Sequence, residues 1–131
     1  MKTILCAVDM SGETDIIVEK AVSLAEQLNA KVLLVTVIEK GLIPKDYQKA
    51  LEAEVFPKFE ELGDKYSISK KKRHIVFGKS YDSICNLASE KKADLIVLGS
   101  HAKRGLQALV GSTANGVMHR APCDIYLVKM Y

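Results

Sequence analysis

The sequence predicts an α/β protein: one open, doubly wound, five-stranded parallel sheet in the order 3-2-1-4-5, with helices on both faces. Three observations carry that expectation. Five short apolar runs rich in branched residues punctuate the chain, at residues 3–8, 32–38, 74–77, 95–98 and 125–128. They are continuous and not alternating, as strands are when both faces of a parallel sheet are covered. Helical patterns separate each run from the next, so every strand is reached by a crossover, and right-handed crossovers wind such a sheet in both directions.

Taken in order, the first run ends at Asp9. Beyond it Ile16, Ile17, Val18, Ala21, Leu24, Ala25 and Leu28 recur at steps of three and four, which predicts a helix over residues 12–28 with one apolar face, ended by Asn29 and Ala30. The second connection is longer and more polar. Pro44 is placed to open a helix, and Tyr47, Leu51, Val55, Phe59 and Leu62 trace its apolar stripe. Pro57 falls inside that stripe, where its missing N–H predicts a kink or a break into two helices. A third helix is expected over residues 80–91, carrying Ile84, Leu87 and Ala88 inward, and a fourth over residues 112–119, ended before Ala121 and Pro122.

A chain of 131 residues holds one complete core, so residues 1–131 read as one domain. With 48% hydrophobic and 27% charged residues, disorder is not expected outside a loop or two. A net charge of +3 is too mild for a strong nucleic-acid binder, and the run from Lys70 to Arg73 reads as the solvated start of a strand. The three cysteines lack CxxC spacing, which excludes a disulfide framework or zinc knuckle. Cys6 and Cys123 sit in apolar, strand-like contexts where a thiol behaves as a small hydrophobe. The opening apolar run is too short for a signal peptide, and no stretch approaches the ~20 apolar residues of a membrane span. A cytoplasmic protein with no nucleic-acid or membrane partner is expected.

In a sheet of this order, ligands bind outside the carboxyl ends of the strands where the order reverses, between the first and fourth strands. There Ala7, Val8, Asp9 and Ser11 come beside Leu98, Gly99, Ser100, His101 and Ala102. The stretch over residues 94–117 runs a buried strand into a glycine-spaced loop and then into a helix start, the order of a phosphate cradle. Gly99 permits close approach, and Gly111, Ser112 and Thr113 offer hydroxyls, amides and the positive end of a helix dipole. Ser112 and Thr113 alternatively cap that helix. Asp9 accepts hydrogen bonds from an adenine amine or a ribose hydroxyl, or caps the first helix, as Ser11 does. Val37 covers a base or belongs to the core; Lys103 and Arg104 add charge near phosphates or are solvated. No catalytic set is visible. GSTANGV lacks the lysine of a Walker loop, Met10-Ser11-Gly12-Glu13 lacks the second glycine of a pyrophosphatase loop, and His74, His101 and His119 have structural or solvent-facing readings. An enzyme is not expected.

These residues resemble the universal stress protein family over essentially the whole chain. The opening strand ends in Ala-Val-Asp, Gly78 leads into the third helix, and ADLIVLGSH, Gly111-Ser112 and the final run from His119 to Cys123 follow. Nucleotide-binding members are similar in carrying Gly-x-x-Gly, about nine residues, then Gly-Ser or Gly-Thr. The resemblance implies ATP, with magnesium, bound by Asp9 and Val37 near the adenine, Gly99 near the ribose, and Ala102, Gly111, Ser112 and Thr113 around the phosphates. This chain departs from the pattern in having Ala102 at the second glycine and eight residues before Gly111, with Gly105 as a compensating hinge. The function implied is a nucleotide-dependent stress-response module with a protein partner. A homodimer through the apolar edge strand, residues 123–131, is also implied. A nucleotide-free dimeric interaction module and a slow ATPase are the alternatives.

Overall fold

The β-branched side chains concentrated in the apolar runs favour extended backbone, and in the computed structural model these runs pair side by side. The structure describes residues 2–10, 12, 14–39, 44–100 and 111–130. Its elements are β1 (Thr3–Ala7), α1 (Thr14–Leu28), β2 (Lys31–Ile38), α2 (Lys45–Lys65), a 3-10 turn (Lys70–Lys72), β3 (Arg73–Phe77), α3 (Ser80–Glu90), β4 (Leu95–Gly99), α4 (Ser112–Arg120) and β5 (Asp124–Val128). The strands form one sheet in the order β3-β2-β1-β4-β5, all pairs parallel, as the sequence predicts.

Two cores sandwich the sheet. Ile4, Cys6, Leu34 and Val97 face α1 and α2 through Val18, Ala21 and Phe59. Leu5, Val35, Ile96 and Leu98 face α3 and α4 through Ile84, Leu87, Ala114 and Val117. Each large side chain fully removed from water contributes about 1.5–3 kcal/mol. β1 is buried along its whole length, which explains its lack of alternation.

Two helices differ from expectation. In α1 the residues Ile17, Val18, Ala21 and Ala25 are buried, whereas Ile16 and Leu28 are each 42% exposed. An apolar stripe roughly 100° wide cannot hold neighbours that lie a full helical step apart. Asn29, at φ 53°, ends the helix, and the Ala30 amide donates back to the Ala25 carbonyl at 2.8 Å. α2 runs unbroken through Pro57, so the predicted division into two helices is absent. Pro57 and Ala53 are both exposed, so the carbonyl that loses its donor sits on the solvent side. The predicted stripe is buried only in its later half, at Phe59 and Leu62, while Tyr47 is 63% exposed. A helix of 21 residues is about 31 Å long and overhangs a five-residue strand of about 17 Å.

Arg73 also departs from the solvated reading of its basic run. Its side chain is 6% exposed, donating to the Ile68 carbonyl at 2.7 Å, to Glu60 at 2.9 Å and to Asp64 at 2.7 Å, which fastens α2 to β3. Lys70 and Lys71 remain exposed.

Candidate functional site

The strand ends build the site. Cys6 pairs with Val97 in the β1–β4 ladder, so Asp9 and Ser100 each leave the sheet three residues beyond a matched pair. α1 lies over one face and α4 over the other, and both helices start beside the carboxyl ends of the strands. Two positive helix ends therefore flank the reversal point between β1 and β4.

Gly111 is the N-cap of α4, with φ −59° and ψ 156°, and no side chain caps the helix. The first intrahelical bond runs from the Asn115 amide to the Gly111 carbonyl at 2.9 Å. The amides of Ser112, Thr113 and Ala114 are thus the ones an α-helix leaves without internal partners. Gly111 holds the capping position and not Ser112, whose side chain stays exposed at the first helical position. That arrangement suits an anion.

On the opposite side Val8 continues the ladder, its amide donating to the Val35 carbonyl at 2.9 Å, and Asp9 follows as an exposed carboxylate. Met10 adopts φ 62°, a left-handed conformation that costs a residue with a Cβ about 1–2 kcal/mol and turns the chain sharply past Asp9. No methionine in a sequence announces such a turn, and the sequence reading missed it.

Several residues expected at the site have other duties. The side chains of Ala7 and Leu98 lie in the core under α3 and α4, and that of Val8 in the core under α1. Val37 pairs with Val76 and packs half-buried on the second core, which favours its core reading. Ser100 donates its amide to the Val128 carbonyl at 2.9 Å, and its hydroxyl accepts from the Met130 amide at 2.9 Å, which ties the end of β4 to the segment after β5. A Cβ on Gly99 would lie 2.9 Å from Cδ1 of Ile17 and 3.2 Å from Cγ of Met130, so any larger residue there requires these two side chains to shift. Ser11, His101, Ala102, Lys103, Arg104 and Gly105 lie outside the described residues.

The thiols give no sign of activation. Burial pushes Cys6 up to about 12 and raises Cys85 and Cys123, the opposite of what a reactive thiolate needs.

Comparison with known proteins agrees with this architecture. The sequence profile of the universal stress protein family matches residues 1–129. Universal stress protein A homolog 1 of Coxiella burnetii is 30% identical over 139 aligned positions, covering 98% of this chain and 96% of the relative. The structure of universal stress protein UspA from Lactobacillus plantarum superimposes with a TM-score of 0.83 at 22% identity, covering 97% of both chains. A universal stress protein solved in complex with cAMP has a TM-score of 0.73 at 25% identity, covering 98% of this chain and 96% of its own. With the profile spanning nearly every residue and the sheet order matching, this chain belongs to the universal stress protein family.

Proposed function

We propose that the protein is a stress-response module that binds an adenine nucleotide, ATP with magnesium, in the crevice between β1 and β4. The observation that carries this reading is the uncapped start of α4 at Gly111, directed to the same end of the sheet as Asp9. Phosphate oxygens would take the amides of Ser112, Thr113 and Ala114, and the helix dipole, equivalent to about half a positive charge, would favour them. Asp9 would accept from the ribose or the adenine amine. Magnesium would supply charge neutralisation between phosphates. The cAMP complex of a relative of the same fold supports an adenine nucleotide as the ligand class. The module works through a nucleotide-dependent conformation read by a protein partner in the cytoplasm, without rapid turnover, and pairs with a second copy through β5.

The test is calorimetric titration with ATP and magnesium chloride. Micromolar affinity (~−8 kcal/mol) is expected. Gly111→Ala with Ser112→Asp should weaken it about a hundredfold (~2.8 kcal/mol) while leaving folding intact. An acidic residue at the first helical position favours the helix but repels phosphate. Failure of the native protein to bind at millimolar ATP would overturn the reading. Phosphate release compared with Asp9→Asn distinguishes a slow ATPase.

A nucleotide-free interaction module is the second reading, and Gly99 favours it. A Cβ there would crowd the side-chain ends of Ile17 and Met130, a packing reason for the glycine that needs no ligand.

A further inference from the structure

The amino end of the sheet, opposite the proposed nucleotide crevice, holds an open cavity of about 360 Å³ between the last turns of α1 and α2. Its lining is mixed: Val22, Ala30 and the Tyr66 ring, with the largely buried Ala25, Val32 and Ile68 beneath, form a small apolar floor inside a polar rim of Asn29, Ser67, Lys31, Lys72 and Glu26. The volume falls within the range of sites that enclose small ligands or single large side chains.

Lysines outnumber carboxylates around the cavity. The 3-10 turn at Lys70–Lys72 lies alongside the start of β2, because β3 enters the ladder only where Arg73 pairs with Leu34. Lys72 lines the same cavity as Lys31, with Lys70 and Lys71 just before it in the turn, and among the described residues none of the four is in an ion pair. Two nearby acids are occupied. Asp64 holds Arg73 at 2.7 Å, and Asp94 accepts the amides of Lys2 and Thr3 at 2.8 and 3.0 Å. Glu26 is the one carboxylate on the cavity rim.

We propose that this end of the molecule docks an acidic segment of a partner protein, with one apolar side chain seated in the cavity and flanking carboxylates on Lys31, Lys70, Lys71 and Lys72. Charge complementarity selects the acidic partner, and the small apolar floor between the lysines gives a single apolar side chain of a peptide its seat. The ring that could stack a base, that of Tyr66, is held by its hydroxyl, which bonds Asp15 at 2.9 Å and Glu19 at 3.2 Å. Such docking steers association by charge and weakens with salt.

The test uses the intact protein and a short fluorescein-labelled peptide of glutamates interrupted by single phenylalanines, followed by fluorescence anisotropy. Binding should weaken at least about tenfold in Lys31→Glu/Lys72→Glu, in raised salt, and when alanine replaces the peptide's phenylalanines. Thermal unfolding checks that the variant is folded, and Lys70→Glu/Lys71→Glu repeats the measurement at exposed positions outside the cavity. Equal binding by the charge-reversed variants would overturn the proposal, as would indifference to the phenylalanines. Tighter binding of a single-stranded oligonucleotide or of phosphatidylserine vesicles than of the peptide would overturn it too.

Discussion

Gly116 shows how one missing methyl group sets the separation of two helices. A Cβ at that position in α4 would come within 2.8 Å of the Tyr81 Cβ and closer still to its ring. The same ring carries the Arg120 guanidinium 5.5 Å from its centroid, and Arg120 bonds Asp82 at 2.8 Å. Alanine in place of a helical glycine normally gains about 1 kcal/mol. Here the clash is at the root of the tyrosine, which cannot swing aside, and overpacking of this kind costs about 1–3 kcal/mol. Gly116→Ala is therefore expected to lower stability by about 1 kcal/mol in urea denaturation; a gain would show that α3 and α4 are not in contact there. Neither role was legible at Gly116 or Gly99, because their contacts are with Tyr81, Ile17 and Met130, remote in sequence. Asp9 and Gly111 were legible, since a strand end and a helix start are local properties.

Elements read well where their periodicity was complete and less well where it depended on neighbours. α3 and α4 fall within a residue of expectation, because their apolar positions and terminal signals lie inside the segment. α2 misled, since its stripe continues past the end of the sheet it could cover. β5 is an edge strand whose Val128 is 4% exposed and whose Leu127 packs on the second core, while Tyr126 is 36% exposed. Removing the strand would strip both cores, so the proposed homodimer is better tested by a point change. Tyr126→Lys places a charge on the edge, a device that discourages strand pairing. Analytical ultracentrifugation should report a dimer for the native protein and a monomer for the variant with an unchanged circular dichroism spectrum. A native monomer would sink strand-mediated pairing.

Stability against pH is a property of the whole molecule, summed over groups that burial and bonding displace. His74 on β3 has a buried Nε2 without a hydrogen-bond partner among the described residues, and burial first, then Lys91, lowers its affinity for a proton, opposed by Glu90. The unfolded chain therefore binds that proton more readily. The stability present above about pH 6.5 is lost as pH falls from there through the folded value. Asp15, lowered by hydrogen bonds from Tyr66 and Lys65, and Asp94, lowered by the amides of Lys2 and Thr3, add a second loss below the ordinary carboxylate range. On the alkaline side the sign reverses. Cys6, pushed up to about 12 by burial, contributes stability present below its unfolded value and lost as pH rises toward about 12. Urea midpoints should hold a plateau between about pH 6.5 and about pH 8.5 and fall on both sides. His74→Val should flatten the first part of the acid limb, and an unchanged limb would show that His74 is not its source.

The sequence by itself determined the strand count, the alternation of strands and helices, the sheet order and the family, and it located Asp9 and Gly111 at one end of the sheet. The strand count, the alternation and the two site positions follow from local pattern: continuous apolar runs, steps of three and four, a glycine before a helix start. The order of the strands goes with the family that the motifs resemble. The tertiary structure alone decided that Gly99 is held by Ile17 and Met130, that Ser100 ties β4 to the segment after β5, and that Arg73 is drawn under α2. It alone set Lys72 of the turn before β3 on the same cavity as Lys31. The physical reason is common to all four. Each depends on which residues distant in the chain are brought within a few ångströms, and that is settled by how the helices pack on the sheet.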